Sequence, residues 1–297
     1  MTFEDLKLHN SLQKAVKDQN YETPTSIQAK AIPLILDRND VLGTAQTGTG
    51  KTAAFSLPIL HHLENESQNQ GKRKVKALIV TPTRELAIQI AENFTDYSKY
   101  NSIKNTVIYG GVKQMKQVKR LDAGVDVLIA TPGRLLDLIG QGYITLRDVK
   151  YFVLDEADRM LDMGFINDIK KLLEKLPKNR QSLFFSATMP NSILTLSNTI
   201  LRNPKKIAVH QVSTTAETIQ QSIYYTNKSD KKDLLFHILK NKDINQILVF
   251  SRTKHGADRI VRNLQKNNIG GTKRVARLVA EAFIPNPENK KTVKRNF

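Results

Sequence analysis

The 297-residue chain contains no cysteine. Disulfides, thiolate zinc sites and cysteine nucleophiles are therefore excluded, and a reducing compartment such as the cytoplasm is expected. No apolar run approaches the roughly 20 residues that a membrane-spanning helix needs. One of the longer ones, Val125–Ala130, is broken by Asp126. The first residues, Met1–Asp5, lack the basic-then-apolar pattern of a secretory signal, so secretion is not expected. Acid is scarce as well: Asp and Glu number 28 against 46 Lys and Arg, a formal charge of +18. Such a surplus suits a polyanion partner, most often nucleic acid. No internal repeat is visible.

What is present reads as folded protein, with 40% hydrophobic and 25% charged residues. Short apolar runs at Asp40–Thr44, Val75–Val80, Asn105–Tyr109, Asp126–Ala130, Tyr151–Leu154 and Gln181–Phe185 predict strands. Amphipathic stretches at Lys51–Leu63, Arg84–Tyr97, Leu135–Ile139, Phe165–Leu176 and Asn191–Leu201 predict helices. Alternating strands and helices of this kind predict an α/β fold, a buried parallel sheet with helices on both faces. Arg202–Pro204 ends the last helix. The segment Glu64–Lys74 is expected to be an exposed loop.

The expected first domain is 1–209, followed by a polar Ser/Thr-rich linker at 210–217. A second αβ pattern then begins: strand Ile219–Thr226, helix Lys231–Lys240, strand Gln246–Phe250 and helix Lys254–Asn267. It makes 218–268 an incomplete second domain, since two strands and two helices do not easily close a core. Residues 269–297 read as a basic, poorly ordered tail in which only Lys273–Phe283 suits a helix.

Ala45, Gln46, Thr47, Gly48, Thr49, Gly50, Lys51 and Thr52 lie between an expected strand and an expected helix. Gly48 and Gly50 allow a tight turn whose N–H groups converge on an anion, and the helix N-terminus adds positive potential. Lys51 suits the outer phosphates of a nucleotide and the Thr52 hydroxyl suits Mg²⁺. The usual motif has glycine where Ala45 stands. A plain strand-to-helix glycine turn is the alternative. Downstream, the apolar strand Tyr151–Leu154 runs into Asp155, Glu156, Ala157 and Asp158. A carboxylate at such a strand end holds Mg²⁺ in ATPases of this architecture, which suits Asp155. Glu156 suits orienting or deprotonating a water. An acid-enriched helix start is the alternative.

Asp155–Asp158 spells the name of a family, and the chain resembles the DEAD-box RNA helicases. Phe3 and Tyr21–Gln28 look like the adenine-sensing motif, and Ala45–Thr52 matches the family's own phosphate loop. Pro82–Ala87, Gly110-Gly111 and Thr131–Arg134 are similar to its RNA-contacting motifs. Ser186–Thr188 looks like the motif coupling hydrolysis to unwinding, and Val249–Thr253 resembles the first motif of the second domain. The match extends over residues 1 to about 268, and Ser251–Arg259 hints at a bacterial, RhlE-like branch.

The resemblance implies a phosphate-loop NTPase domain of the RecA-like type followed by part of a second one. It implies ATP and Mg²⁺ as cofactors, RNA gripped through its backbone, and ribonucleoprotein substrates. Catalysis would rest on Lys51, Asp155 and Glu156. Gln28 would select adenine, or be an ordinary helix-surface residue; Phe3 would stack on the base, or pack in the core. Thr83, Arg84, Gly110, Gly111, Thr131, Pro132, Gly133 and Arg134 would contact RNA. The alternatives are a solvated helix start for Arg84 and a plain surface cation for Arg134. Ser186 and Thr188 would touch Asp158, or only cap a helix.

Family members with a complete second domain supply arginine fingers from an Ala-Thr-Asp…Arg-Gly and a His-Arg-x-Gly-Arg motif. Neither pattern occurs in residues 254–297. A finger is worth ~10³–10⁵ in rate, so slow hydrolysis and poor unwinding are expected of this chain. The competing expectation is an ATP- and RNA-binding module without efficient catalysis. A small-molecule kinase fits the RNA motifs poorly.

Overall fold

Four- to six-residue strands rich in Val, Leu, Ile and Phe assemble the sheet. They are β1 (Val41–Thr44), β2 (Ala77–Val80), β3 (Asn105–Ile108), β4 (Val127–Ala130), β5 (Tyr151–Leu154), β6 (Gln181–Ser186) and β7 (Lys205–Ala208). The computed structural model describes residues 1–66, 73–209, 222–240, 249–251 and 253–267. All seven strands are parallel, in the order β3-β4-β2-β5-β6-β1-β7. β2, β4 and β5 are buried at every position. That is why they read as unbroken apolar runs instead of alternating ones.

Side chains alternate across the strands and split the core in two. Ala77, Ile79, Tyr151 and Val153 join a cluster with α1 (Asn10–Asp18), α2 (Ser26–Leu36), α3 (Lys51–Asn65) and α4 (Arg84–Tyr97). Leu78, Val80, Phe152 and Leu154 face α5 (Met115–Asp122), α6 (Pro132–Gly140), α7 (Ala157–Asp162), α8 (Ile166–Leu173) and α9 (Asn191–Ile200). Helices on both faces are as expected. Each fully buried large aliphatic or aromatic side chain contributes roughly 1.5–3 kcal/mol through desolvation.

Several boundaries differ from expectation. The strand expected at Val75 starts at Ala77 and the one expected at Asp40 starts at Val41. Asp40 instead accepts hydrogen bonds from Ser182 N and Arg202 N, both 2.7 Å, at the sheet's entry edge. α6 begins at Pro132, three residues early, because proline at the first helical position fits the helix and loses no bond. α1, α5 and α7 were not assigned from sequence. Nor was β7, an edge strand whose Lys205 and Lys206 are exposed. α3 runs on to Asn65 where a loop was expected. The next residue, Glu66, is anchored by Lys150 Nζ (2.8 Å) and Tyr151 Oη (2.9 Å).

Chain contacts divide at Ser213 and Thr214. In the second unit the described residues include α10 (Lys231–Leu239) and α11 (Lys254–Lys266), the latter capped by Thr253, whose Oγ1 accepts from Gly256 N at 3.0 Å. Both helices were expected. Residues 222–226, expected as strand, are irregular, with Ile223 and Tyr225 exposed and no strand among the described residues beside them. The expected linker and tail, and most of the strand expected at Gln246–Phe250, lie outside the described residues. No described helix is long and apolar enough to cross a membrane.

Candidate active site

The loops leaving the carboxyl ends of the parallel strands gather the candidate residues, the position where open α/β sheets bind ligands. After β1 the chain turns through Gly48 (φ 82°) and Gly50 (φ 90°) into α3. Only glycine adopts such angles freely. Lys51, the first residue of α3, is 7% exposed, and its Nζ donates to Ala45 O (2.8 Å) and Gln46 O (3.0 Å). Thr49 Oγ1 also donates to Gln46 O (2.8 Å). Thr52, on the next position of the helix, is half-buried.

Gln28 is not on a helix surface. It is 4% exposed and completes the capping box of α2: Thr25 N donates to Gln28 Oε1 (2.8 Å). Its Nε2 donates to Gly50 O (3.1 Å), which ties α2 to the phosphate loop. A Cβ on Gly50 would lie 2.5 Å from that nitrogen, so glycine is required there twice over. Thr25 was not singled out from sequence, although its spacing to Gln28 is the capping-box signature. Phe3 packs in the core at 5% exposure, its ring tilted against Tyr21 at 6.0 Å.

β5 delivers Asp155, 4% exposed, whose N–H donates to Val80 O (3.0 Å). Burial pushes its carboxyl up to about 6, reinforced by Glu156 and Asp158 and opposed by the Lys51 ammonium. Lys51 and Asp155 lie past the carboxyl ends of β1 and β5, two strands that β6 separates. Glu156 follows in the left-handed region (φ 54°), a conformation that costs a non-glycine residue of order 1–3 kcal/mol. This turn separates the two carboxylates. Glu156 Oε2 is 3.2 Å from Arg159 Nη1, a partner not foreseen.

Asp158 meets both coupling candidates. Thr188 N and Oγ1 each donate to Asp158 Oδ2 at 2.9 Å, and Asp158 N donates to Ser186 Oγ at 3.2 Å. Neither residue caps α9, whose N-cap is Pro190.

The RNA candidates occupy neighbouring strand ends. Thr83 Oγ1 caps α4 by accepting from Leu86 N (3.3 Å). Arg84 is exposed and its guanidinium stacks over the Tyr109 ring, 4.9 Å from the centroid. Gly110 and Gly111 (φ 78°) follow Tyr109, and a Cβ on either would meet no protein atom within 4 Å. Thr131 stands at the N-cap position of α6 without a side-chain capping bond, with Pro132, Gly133 and Arg134 in the first turn. The Arg134 side chain is 13% exposed, with Nη2 donating to Val112 O (3.1 Å) and Nε 3.5 Å from Asp137 Oδ2. It is not a plain surface cation.

The residues fit a magnesium nucleotide. A buried acid and a lysine at a glycine turn supply complementary charge. Among the described residues no cluster of three or more His, Asp or Glu is placed to hold a metal unaided. Mg²⁺ binds through one or two carboxylates plus phosphates and water, and the buried Asp155 carboxylate suits that role.

The chain is similar to known proteins in sequence and in fold. Residues 25–196 match the DEAD/DEAH box helicase family model. The chain is 42% identical, over 90% of its length and 43% of the relative's, to the ATP-dependent RNA helicase DeaD of Buchnera aphidicola. It is 41% identical to the DEAD-box ATP-dependent RNA helicase RhpA of Helicobacter pylori, over 91% of the chain and 54% of the relative. The chain spans about half the length of the curated relatives it matches. A solved DEAD box protein from Methanococcus jannaschii superimposes with a TM-score of 0.65 at 38% identity, covering 90% of this chain and 70% of that one. The chain belongs to the DEAD/DEAH box helicase family.

Proposed function

We propose that the chain binds Mg²⁺-ATP and the RNA backbone, and couples ATP hydrolysis to the remodelling of RNA duplexes and ribonucleoproteins. The observation that carries this reading is the placing of buried Lys51, at the glycine turn after β1, and buried Asp155, at the end of β5, on the carboxyl edge of one sheet with only β6 between their strands. The N–H groups of 46–52 and Lys51 Nζ cradle the phosphates, the lysine exchanging its loop carbonyls for phosphate oxygens. Thr52 and Asp155 would hold Mg²⁺, which would neutralise phosphate charge. Glu156 directs the attacking water. Gln28 reads the adenine edge. Arg84, Gly111 and Gly133 grip phosphate and sugar, contacts that carry no sequence information. Residues 1–209 form the nucleotide-binding domain, and 218–268 belong to a second helicase unit. The division of chain contacts after Ser213 supports that boundary.

Equilibrium dialysis with labelled nucleotide, followed by an RNA-stimulated ATPase assay on the chain, tests the proposal. Uptake of ATP in preference to GTP, with turnover raised by RNA of any sequence, is expected. No nucleotide uptake sinks it. Binding of both ligands without stimulated turnover leaves only the binding module.

A further inference from the structure

Gln117 lies in the first turn of α5, a helix that carries none of the family's motifs quoted above. It is 6% exposed. Buried amides need partners, and this one spends both its groups on a single residue. Its Oε1 accepts from Tyr109 N (3.0 Å) and its Nε2 donates to Tyr109 O (3.1 Å). β3 is an edge strand ending at Ile108. The side chain of Gln117 therefore acts as one further rung of pairing just past the end of the sheet.

What Tyr109 carries makes the rung functional. Its ring lies under the Arg84 guanidinium. Its carbonyl leads into Gly110 and Gly111, two residues with open space where a side chain would be. The far end of the same short loop is fixed by Arg134 Nη2 on Val112 O. The 109–112 segment is thus pinned at both ends while its middle stays bare and conformationally free.

We propose that Gln117 is a positioning residue for RNA: it fixes the backbone of Tyr109 so that Arg84 and the Gly110-Gly111 turn are held ready for a phosphate backbone. The inference rests on the RNA reading above. It does not require Gln117 to touch RNA. Ordering this loop in advance removes an entropic cost from binding.

The test uses Gln117→Met, which keeps length and apolar packing but loses both hydrogen bonds, and Gln117→Glu, which keeps only the acceptor. Three readouts are taken on the whole chain: anisotropy with a single-stranded RNA oligonucleotide, nucleotide affinity, and amide exchange at 109–112. Gln117→Met is expected to weaken RNA about tenfold, the equivalent of one lost net hydrogen bond, while nucleotide affinity stays constant and exchange accelerates. Gln117→Glu, which turns a carboxylate oxygen towards Tyr109 O, should weaken RNA at least as much with nucleotide affinity unchanged, and serves alone should Gln117→Met not fold. Combined with Gly111→Ala, the losses should be less than additive, since both act through one loop. Parallel loss of nucleotide and RNA affinity, or unchanged exchange, overturns the proposal. A wild-type chain that takes up no RNA refutes the RNA reading and this inference with it. Unchanged exchange in a variant whose parent binds RNA refutes this inference alone.

Discussion

Asp158 and Thr188 are joined twice: the backbone N–H and the hydroxyl of Thr188 both donate to Asp158 Oδ2 at 2.9 Å. The bond links the segment after β5, which carries Asp155 and Glu156, to the segment after β6. Burial alone would raise the Asp158 carboxyl, but hydrogen bonds from Thr188 and Ser186 outweigh it and hold the group below its ordinary 3.8. A carboxylate lowered in the folded state contributes stability above its ordinary value and loses it as pH falls through the depressed one. Thr188→Val removes one of the two bonds. We expect it to lower strand displacement more than ATP turnover, and to shrink the loss of stability in acid. Equal losses of both activities would remove the coupling role.

Glu156 differs from its neighbour by one backbone angle. The left-handed turn aims Glu156 at Arg159 while Asp155 stays under the influence of Lys51. Glu156→Gln keeps size and removes the base. It should bind ATP with unchanged affinity and lose ~10²–10⁴ in turnover, the usual worth of a positioned general base. Unchanged turnover in a phosphate-release assay would assign the water to another residue.

Legibility in the sequence followed burial. β2, β4 and β5 are covered on both faces, so ALIV, VLIA and YFVL announced themselves. β7 sits at the edge with only Ile207 buried, and Lys205-Lys206 carries no strand signal. The phosphate loop was legible because glycine spacing and Lys51 are local requirements of one turn. The union of Asp158 with Thr188 was not, because residues 30 apart in sequence meet only when β5 and β6 pair; the family resemblance supplied it. Gln117 gave no signal at all. A glutamine on a short amphipathic helix looks like surface until its partner, the last carbonyl beyond an edge strand, is known. The left-handed angle of Glu156 was equally silent, since glutamate is not among the residues enriched there.

His62 gives the fold a dependence on pH that is separate from the site. It is 6% exposed on α3, its Nε2–H donates to Ile35 O (3.1 Å), and its ring stacks on Tyr151 with a centroid distance of 5.6 Å. Burial first, then the charges of Arg38 and His61, hold its pKa below 6.5, only partly offset by the carbonyl bond and Glu66. His61 is lowered too, mainly by burial. A base lowered in the folded state is protonated first in the unfolded chain. Stability is therefore full above 6.5 and declines as pH falls through that value towards the depressed one. Urea midpoints should drop between about pH 7.5 and about pH 5, and the slope should be shallower in His62→Gln. An identical slope in the variant would place the titration elsewhere.

Gly133 separates what the fold wants from what the ligand wants. It stands in the first turn of α6, its φ is not positive, and a Cβ there would meet nothing within 4 Å. Nothing inside the protein asks for glycine, and a helix prefers alanine. Gly133→Ala should therefore raise stability by a few tenths to about 1 kcal/mol, through lower unfolded-state entropy and better helix propensity. If an RNA backbone lies against this turn, the added methyl occupies the space of a sugar or phosphate. Affinity should then fall on the order of tenfold, about 1.4 kcal/mol, equally for every sequence tested. The two signs together are diagnostic, because a change that damaged the fold would lower both. A variant that is more stable and binds RNA as tightly as its parent would show that the nucleic acid does not pack on α6.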